Sequence, residues 1–130
     1  MALTALGEDT LEGLVLDLRG NPGGLLTEGV NVADMFLTKN QLIVSHKGRS
    51  QRERRYFATR GNQGRSYALV VLIDRMTASA AEIVAGAIQD HDRGLVVGES
   101  TFGKGLVQTV YPLSENTGLA LTTAKYYTPS

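Results

Sequence analysis

Ala68-Leu69-Val70-Val71-Leu72-Ile73-Asp74-Arg75-Met76-Thr77-Ala78-Ser79-Ala80-Ala81-Glu82 decides how this chain folds. An apolar run of strand length stops at Asp74, and behind it Ile83, Val84, Ala87 and Ile88 recur at helical spacing, so a strand hands over to a helix near Ser79. A residue at such a turn is well presented for chemistry. The first amides of the helix have no partners inside it, and they face whatever charge develops beside the Ser79 hydroxyl. Taken alone, a serine before a helix is more often an N-cap than a nucleophile.

Serine needs a base. His91 lies twelve residues on, roughly 18 Å along the same helix and out of reach. His46 falls in a polar, basic stretch expected to be a solvated hairpin, and nothing in the sequence ties it to Ser79. Lys104 is the better candidate. It stands between Gly103 and Gly105, after the apolar Leu95-Val96-Val97 and before Leu106-Val107, surroundings expected to desolvate an ammonium and so lower its pKa. A lone lysine between glycines is ordinarily a solvated turn residue.

Three blocks in order, Asp17-Leu18-Arg19-Gly20-Asn21-Pro22-Gly23-Gly24, Thr77-Ala78-Ser79-Ala80-Ala81-Glu82-Ile83 and Gly98-Glu99-Ser100-Thr101-Phe102-Gly103-Lys104-Gly105-Leu106-Val107-Gln108, resemble the signature blocks of the C-terminal processing (tail-specific) serine peptidases. The closing Leu121-Thr122-Thr123-Ala124-Lys125-Tyr126-Tyr127-Thr128-Pro129-Ser130 resembles that family too. The resemblance implies a Ser-Lys dyad, with Ser79 as nucleophile and Lys104 as general base. It implies that Gln108 holds the lysine side chain, since four positions on along an extended strand it faces the same side. Glu82, Asp90 and Thr101 match positions that support activity in some members; read alone they are equally a first-turn dipole partner, a helix-end surface charge and a strand-end hydroxyl. The Ala80 amide and the backbone around Gly23 and Gly24 would form the oxyanion hole, glycine being the residue that lets backbone approach a substrate carbonyl. Ala81, where many members carry serine, is a small departure.

The implied fold is a crotonase or ClpP-like β-β-α spiral, and the pattern of the residues agrees. Gly13 to Leu18 is a strand, the Gly20–Gly24 cluster a turn, and Leu26, Val30, Ala33 and Leu37 define a helix from about Leu25 to Leu37. With strands at 69–73 and 95–97 and a helix over 79–90, this is an α/β pattern with a largely parallel, buried sheet. Ala2 to Glu8 reads as a short helix remnant. Gln41–Ser45 and Arg54–Ala58 read as one hairpin, and 106–113 with 119–127 as a C-terminal hairpin.

Composition narrows the alternatives. At 130 residues and 42% hydrophobic content the chain is one domain with enough apolar material for a core. It has no cysteine, so disulfide and thiolate chemistry are excluded. Between His46 and Arg65, seven basic residues oppose one acidic residue, leaving the remainder at −6 in a formally neutral chain. With Tyr56 and Phe57 this invites a nucleic-acid reading, but the glycines and lack of helical period favour a solvated excursion. Asp90-His91-Asp92 has no second ligand cluster, so no metal is expected. The stretch 98–105 matches the phosphate-loop pattern except at its last position, where Gly105 lacks the hydroxyl that binds magnesium, so no nucleotide is expected either.

The expectation is therefore a serine endopeptidase that needs no cofactor and acts on proteins or peptides with a free C-terminus. An exposed strand edge near the nucleophile would accept the substrate. The rival is a catalytically inactive peptide-binding module on the same fold. Family members carry a signal segment, a PDZ domain and further protease segments, none of which fits here. The chain thus reads as a partial catalytic core spanning 1–130, of a protein expected outside the cytoplasm (periplasm, cell envelope or thylakoid lumen), with no export signal of its own. Its oligomeric state is not legible.

Overall fold

The computed structural model describes residues 2–49, 52–113 and 116–130. Among the described residues, seven strands form two sheets. Strands β1 (Gly13–Asp17), β4 (Ala68–Ile73) and β5 (Leu95–Gly98) make a parallel sheet in the order β1-β4-β5. Strands β2 (Leu42–Gly48), β3 (Arg54–Phe57), β6 (Leu106–Pro112) and β7 (Gly118–Tyr127) make an antiparallel sheet in the order β3-β2-β7-β6. Both expected hairpins are present, and the β2–β7 ladder, from Ser45↔Tyr127 to Gly48↔Ala124, joins them. The core sheet is parallel as expected, and the two hairpins join into a second, antiparallel sheet that the sequence did not foretell. The ends of the short helix α1 (Ala2–Ala5) and of a 3-10 turn (Glu8–Thr10) lie close to the expected remnant.

Two helices carry the core. Helix α2 (Leu26–Asp34) and α3 (Ala80–Asp90) pack on each other and on the side of the parallel sheet that presents Leu69 and Val71. Ile83, Val84, Ala87 and Ile88 are all buried there with Ala33, Phe36 and Leu37, as the helical spacing requires. The opposite side of the sheet is open: Val15, Leu95 and Val97 are 62%, 68% and 49% exposed, so among the described residues this sheet is buried on one face, not both. Both crossover helices lie on the same side, and a parallel sheet is covered only where its crossovers pass.

Gly29 sets the distance between the helices. A Cβ there would lie 2.9 Å from the Ala80 carbonyl oxygen, so glycine lets α2 meet the first turn of α3. The C-terminal end of α2 is fastened by Asp34, buried and accepting from the amides of Thr59, Arg60 and Gly61 and from the Thr59 hydroxyl. Burial pushes the Asp34 carboxyl up, but those donors outweigh it and hold it below its ordinary value.

Candidate active site

Ser79 has φ 54° and ψ −119°, immediately before α3. An N-cap normally sits in the β region, so capping does not by itself explain this backbone. A non-glycine residue held in so sparsely populated a conformation is over-determined by its surroundings. The constraints come from both sides. Asp74, at the end of β4, accepts from the amides of Gly20, Met76 and Thr77, and the Gly20 amide is the main reason its carboxyl lies below the usual range. The fully buried Thr77 hydroxyl donates to the Leu18 carbonyl at 2.8 Å and accepts the Asp74 amide at 3.0 Å. The Ala78 amide donates to the Asn21 carbonyl, and the Phe102 amide to the Thr77 carbonyl. Neither Asp74 nor Thr77 stands out as a site residue in the sequence alone. Their signal is an Asp closing a strand with a Thr three residues on, a self-bonded turn.

The glycine loop reaches the serine turn directly. Gly23 has φ 84°, and a Cβ on it would lie 2.5 Å from the Ala78 carbonyl oxygen and 2.7 Å from the Ala80 nitrogen. Of the expected oxyanion donors, the Gly23 amide already donates to Asn21 Oδ1 at 2.9 Å. The amides of Ala80 and Gly24 have no acceptor among the described residues. Gly23 therefore provides the close approach, while Ala80 and Gly24 hold the unused donors. A cleft of about 310 Å³ runs past them between Leu25, Val32 and Val84.

Glu82 gathers the remaining pieces. Its Oε2 accepts the Ser79 amide at 2.8 Å and the Lys104 amide at 3.0 Å, and its Oε1 accepts the Thr101 hydroxyl and the Gly103 amide, both at 2.7 Å. One carboxylate thus binds the serine turn to the lysine loop. Ser79 and Lys104 line a common cleft of about 210 Å³ walled by Val44, Ile83 and Tyr126. Lys104 is nevertheless exposed, and its ammonium donates no hydrogen bond among the described residues, so the expected desolvation is not supplied there.

The other expected residues are more scattered. Gln108 is exposed on β6 and does not line the Ser79 cleft. Asp90 ends α3, roughly 16 Å along the helix from Ser79. It accepts the Ser130 amide at 2.9 Å; burial pushes its carboxyl up, but bonds from Ser130 and Thr128 bring it below the ordinary value. His91 bonds the Leu42 carbonyl through Nε2 at 2.6 Å. After Lys104 comes strand β6, where a phosphate loop opens a helix. His46 corrects the expectation of a solvated hairpin residue: it is 8% exposed, although its neighbours Arg54 and Arg55 are exposed as foreseen.

Comparison with known proteins gives the family of the chain. The model of a family described as peptidase family S41 matches residues 1–130. A carboxy-terminal-processing protease of Bartonella bacilliformis is 54% identical over 123 residues, covering 94% of this chain and 28% of that protein. A chloroplastic C-terminal processing peptidase of Tetradesmus obliquus is 48% identical over 130 residues, covering 99% of this chain and 28% of its own length. The solved structure of a photosystem II D1 C-terminal processing protease superposes with a TM-score of 0.82 at 47% identity, over 98% of this chain and 33% of that one. The chain therefore spans about a third or less of each of these three proteins.

Proposed function

Because this chain belongs to peptidase family S41, we propose that it is the catalytic core of a serine endopeptidase that cuts proteins near their C-termini with Ser79 and Lys104. The observation that carries the reading is the Glu82 carboxylate, which bonds the Ser79 and Lys104 amides at once and so holds both residues on one cleft. Lys104, as general base, takes the Ser79 proton as the hydroxyl oxygen attacks the peptide carbonyl. The oxyanion rests on the Ala80 and Gly24 amides, the amine product leaves with a proton from Lys104, and water hydrolyses the acyl-enzyme. Gln108 steadies the lysine once substrate is bound, and Thr101 and Asp90 act through the loops they fasten. No metal, nucleotide or other cofactor enters these steps.

The scaffold reading is a crotonase or ClpP-like spiral, supported by the parallel β1-β4-β5 core and its helical crossovers. The free edge of β6 begins two residues past Lys104, and there we place an extended substrate bearing a free C-terminus. The 130 residues form one domain of a longer peptidase that works outside the cytoplasm, as the chloroplastic designation of several relatives suggests.

Ser79→Ala and Lys104→Ala are expected to abolish cleavage of an unfolded protein without altering the circular dichroism spectrum. Retained cleavage in either variant rejects the dyad. The exposure of Lys104 supports a second reading, an inactive peptide-binding module. Labelling of Ser79 by a fluorophosphonate, lost in Lys104→Ala, separates the two: a module binds peptide but leaves the probe untouched.

A further inference from the structure

Behind the wall of the Ser79 cleft lies a buried histidine with an unmet need. The His46 ring stacks on Tyr56 at 5.8 Å between centroids and meets the edge of Tyr126 at 6.4 Å. Its Nε2 is 3.3 Å from the Tyr56 hydroxyl, and its Nδ1 is buried with no partner. Tyr126 is the next layer toward the chemistry. It pairs with His46 across the β2–β7 ladder, it lines the cleft shared by Ser79 and Lys104, and its amide donates to the Gly105 carbonyl at 2.8 Å. The histidine, the tyrosine and the residue after Lys104 thus form one packed series.

We propose that Tyr126 is a positioning residue for the Lys104 loop, held in place by the neutral ring of His46, so that protonating His46 loosens this wall of the cleft and lowers activity. The effect on cleavage rests on the Ser79–Lys104 reading; the physical coupling of His46 to Gly105 does not. The surroundings of His46 reject a positive charge. From β3 it faces Tyr56 and Arg54, the latter of its own sign, and from β7 it faces Tyr126. Glu53, at the head of β3, is bonded to Arg55, and the carboxylates of α3 are bonded elsewhere: Glu82 to the lysine loop and Asp90 to Ser130. No carboxylate pairs with His46 among the described residues. Burial first, and Arg54 second, hold its pKa below the ordinary 6.5. An imidazolium would leave a buried charge with one nitrogen unpaired.

The chain has two histidines, so the test is clean. Ring and amide NMR signals are followed in the protein from about pH 8 to 5. The amides of Lys104, Gly105 and Tyr126 are expected to shift with the midpoint of His46, not that of His91. In His46→Phe, which keeps the ring and removes the charge, that step vanishes while the His91 step stays. In the active protein, His46→Ala is expected to cut kcat/KM about tenfold at every pH by misplacing the lysine loop, and His46→Phe to restore it and extend activity to lower pH. If the three amides stay still while His46 titrates, or their step persists in His46→Phe, the coupling is refuted; the first outcome needs no substitution and so does not depend on a variant folding. An unchanged acid limb in His46→Phe refutes its role in activity. Failure of the Ser79–Lys104 reading looks different: wild-type protein that never cleaves, with the NMR coupling intact.

Discussion

Replacing Glu82 by glutamine changes one atom and tests how the site is held together. The carboxylate accepts four hydrogen bonds, two on each oxygen, three of them from backbone amides. A glutamine keeps one acceptor oxygen and turns an NH2 toward the other two donors, so at least two charge-assisted bonds are lost and donors face a donor. At about 1.5–3 kcal/mol for each such bond, reduced because Glu82 is partly exposed, the loss comes to about 2–4 kcal/mol. The negative charge in the first turn of α3 adds roughly 0.3–1 kcal/mol through the helix dipole. For a chain of this length the melting temperature should fall by roughly 6–15 °C. Urea unfolding followed by circular dichroism reads the stability, and fluorophosphonate labelling reads the site. Labelling should fall more steeply than stability, because freeing either loop separates Ser79 from Lys104. A Glu82→Gln protein within about 0.5 kcal/mol of wild type, labelling at the wild-type rate, would refute the idea that this carboxylate joins the two loops.

Other outcomes follow from the same geometry. Gly23→Ala places a methyl 2.5 Å from the Ala78 carbonyl oxygen at φ 84°, so it should cost about 2 kcal/mol or more and abolish Ser79 labelling, measured by urea unfolding and probe uptake. Ser79→Gly removes the nucleophile and relieves a positive φ, so it should be inactive yet melt above Ser79→Ala, by about 1 kcal/mol in stability. Asp34 has a folded pKa below its unfolded value, so its contribution is present above about pH 4 and is lost as pH falls through the folded pKa. Asp34→Asn should lower stability at neutral pH and flatten the acid side of the stability profile, as read by thermal melts across pH.

Much of this was legible from the chain because it is written in short-range chemistry. Apolar runs of strand length, the glycine cluster at 20–24 and the i, i+3, i+4 spacing of Ile83, Val84, Ala87 and Ile88 specify strands, turn and helix wherever they occur, and each element lies within a few residues of its expected place. The candidate nucleophile and base were legible as residue types at turns. That they line one cleft was not. It depends on a carboxylate bonding residues three positions before it and twenty-two positions after it, and no periodicity records such a bond.

Partnerships between distant strands were equally hidden. The β2–β7 ladder joins segments some eighty residues apart, and it turned a presumed solvated His46 into a buried one. Burial is a property of what packs against a residue, and polar neighbours along the chain do not report it. Likewise, a continuous apolar run such as 68–73 suits a sheet covered on both faces, but coverage is decided by where the crossovers pass, and here both helices lie on one side. Local backbone preference and apolar period belong to the sequence itself. Which donors meet which acceptor, and which ring is shut away from water, are settled only when the chain closes on itself.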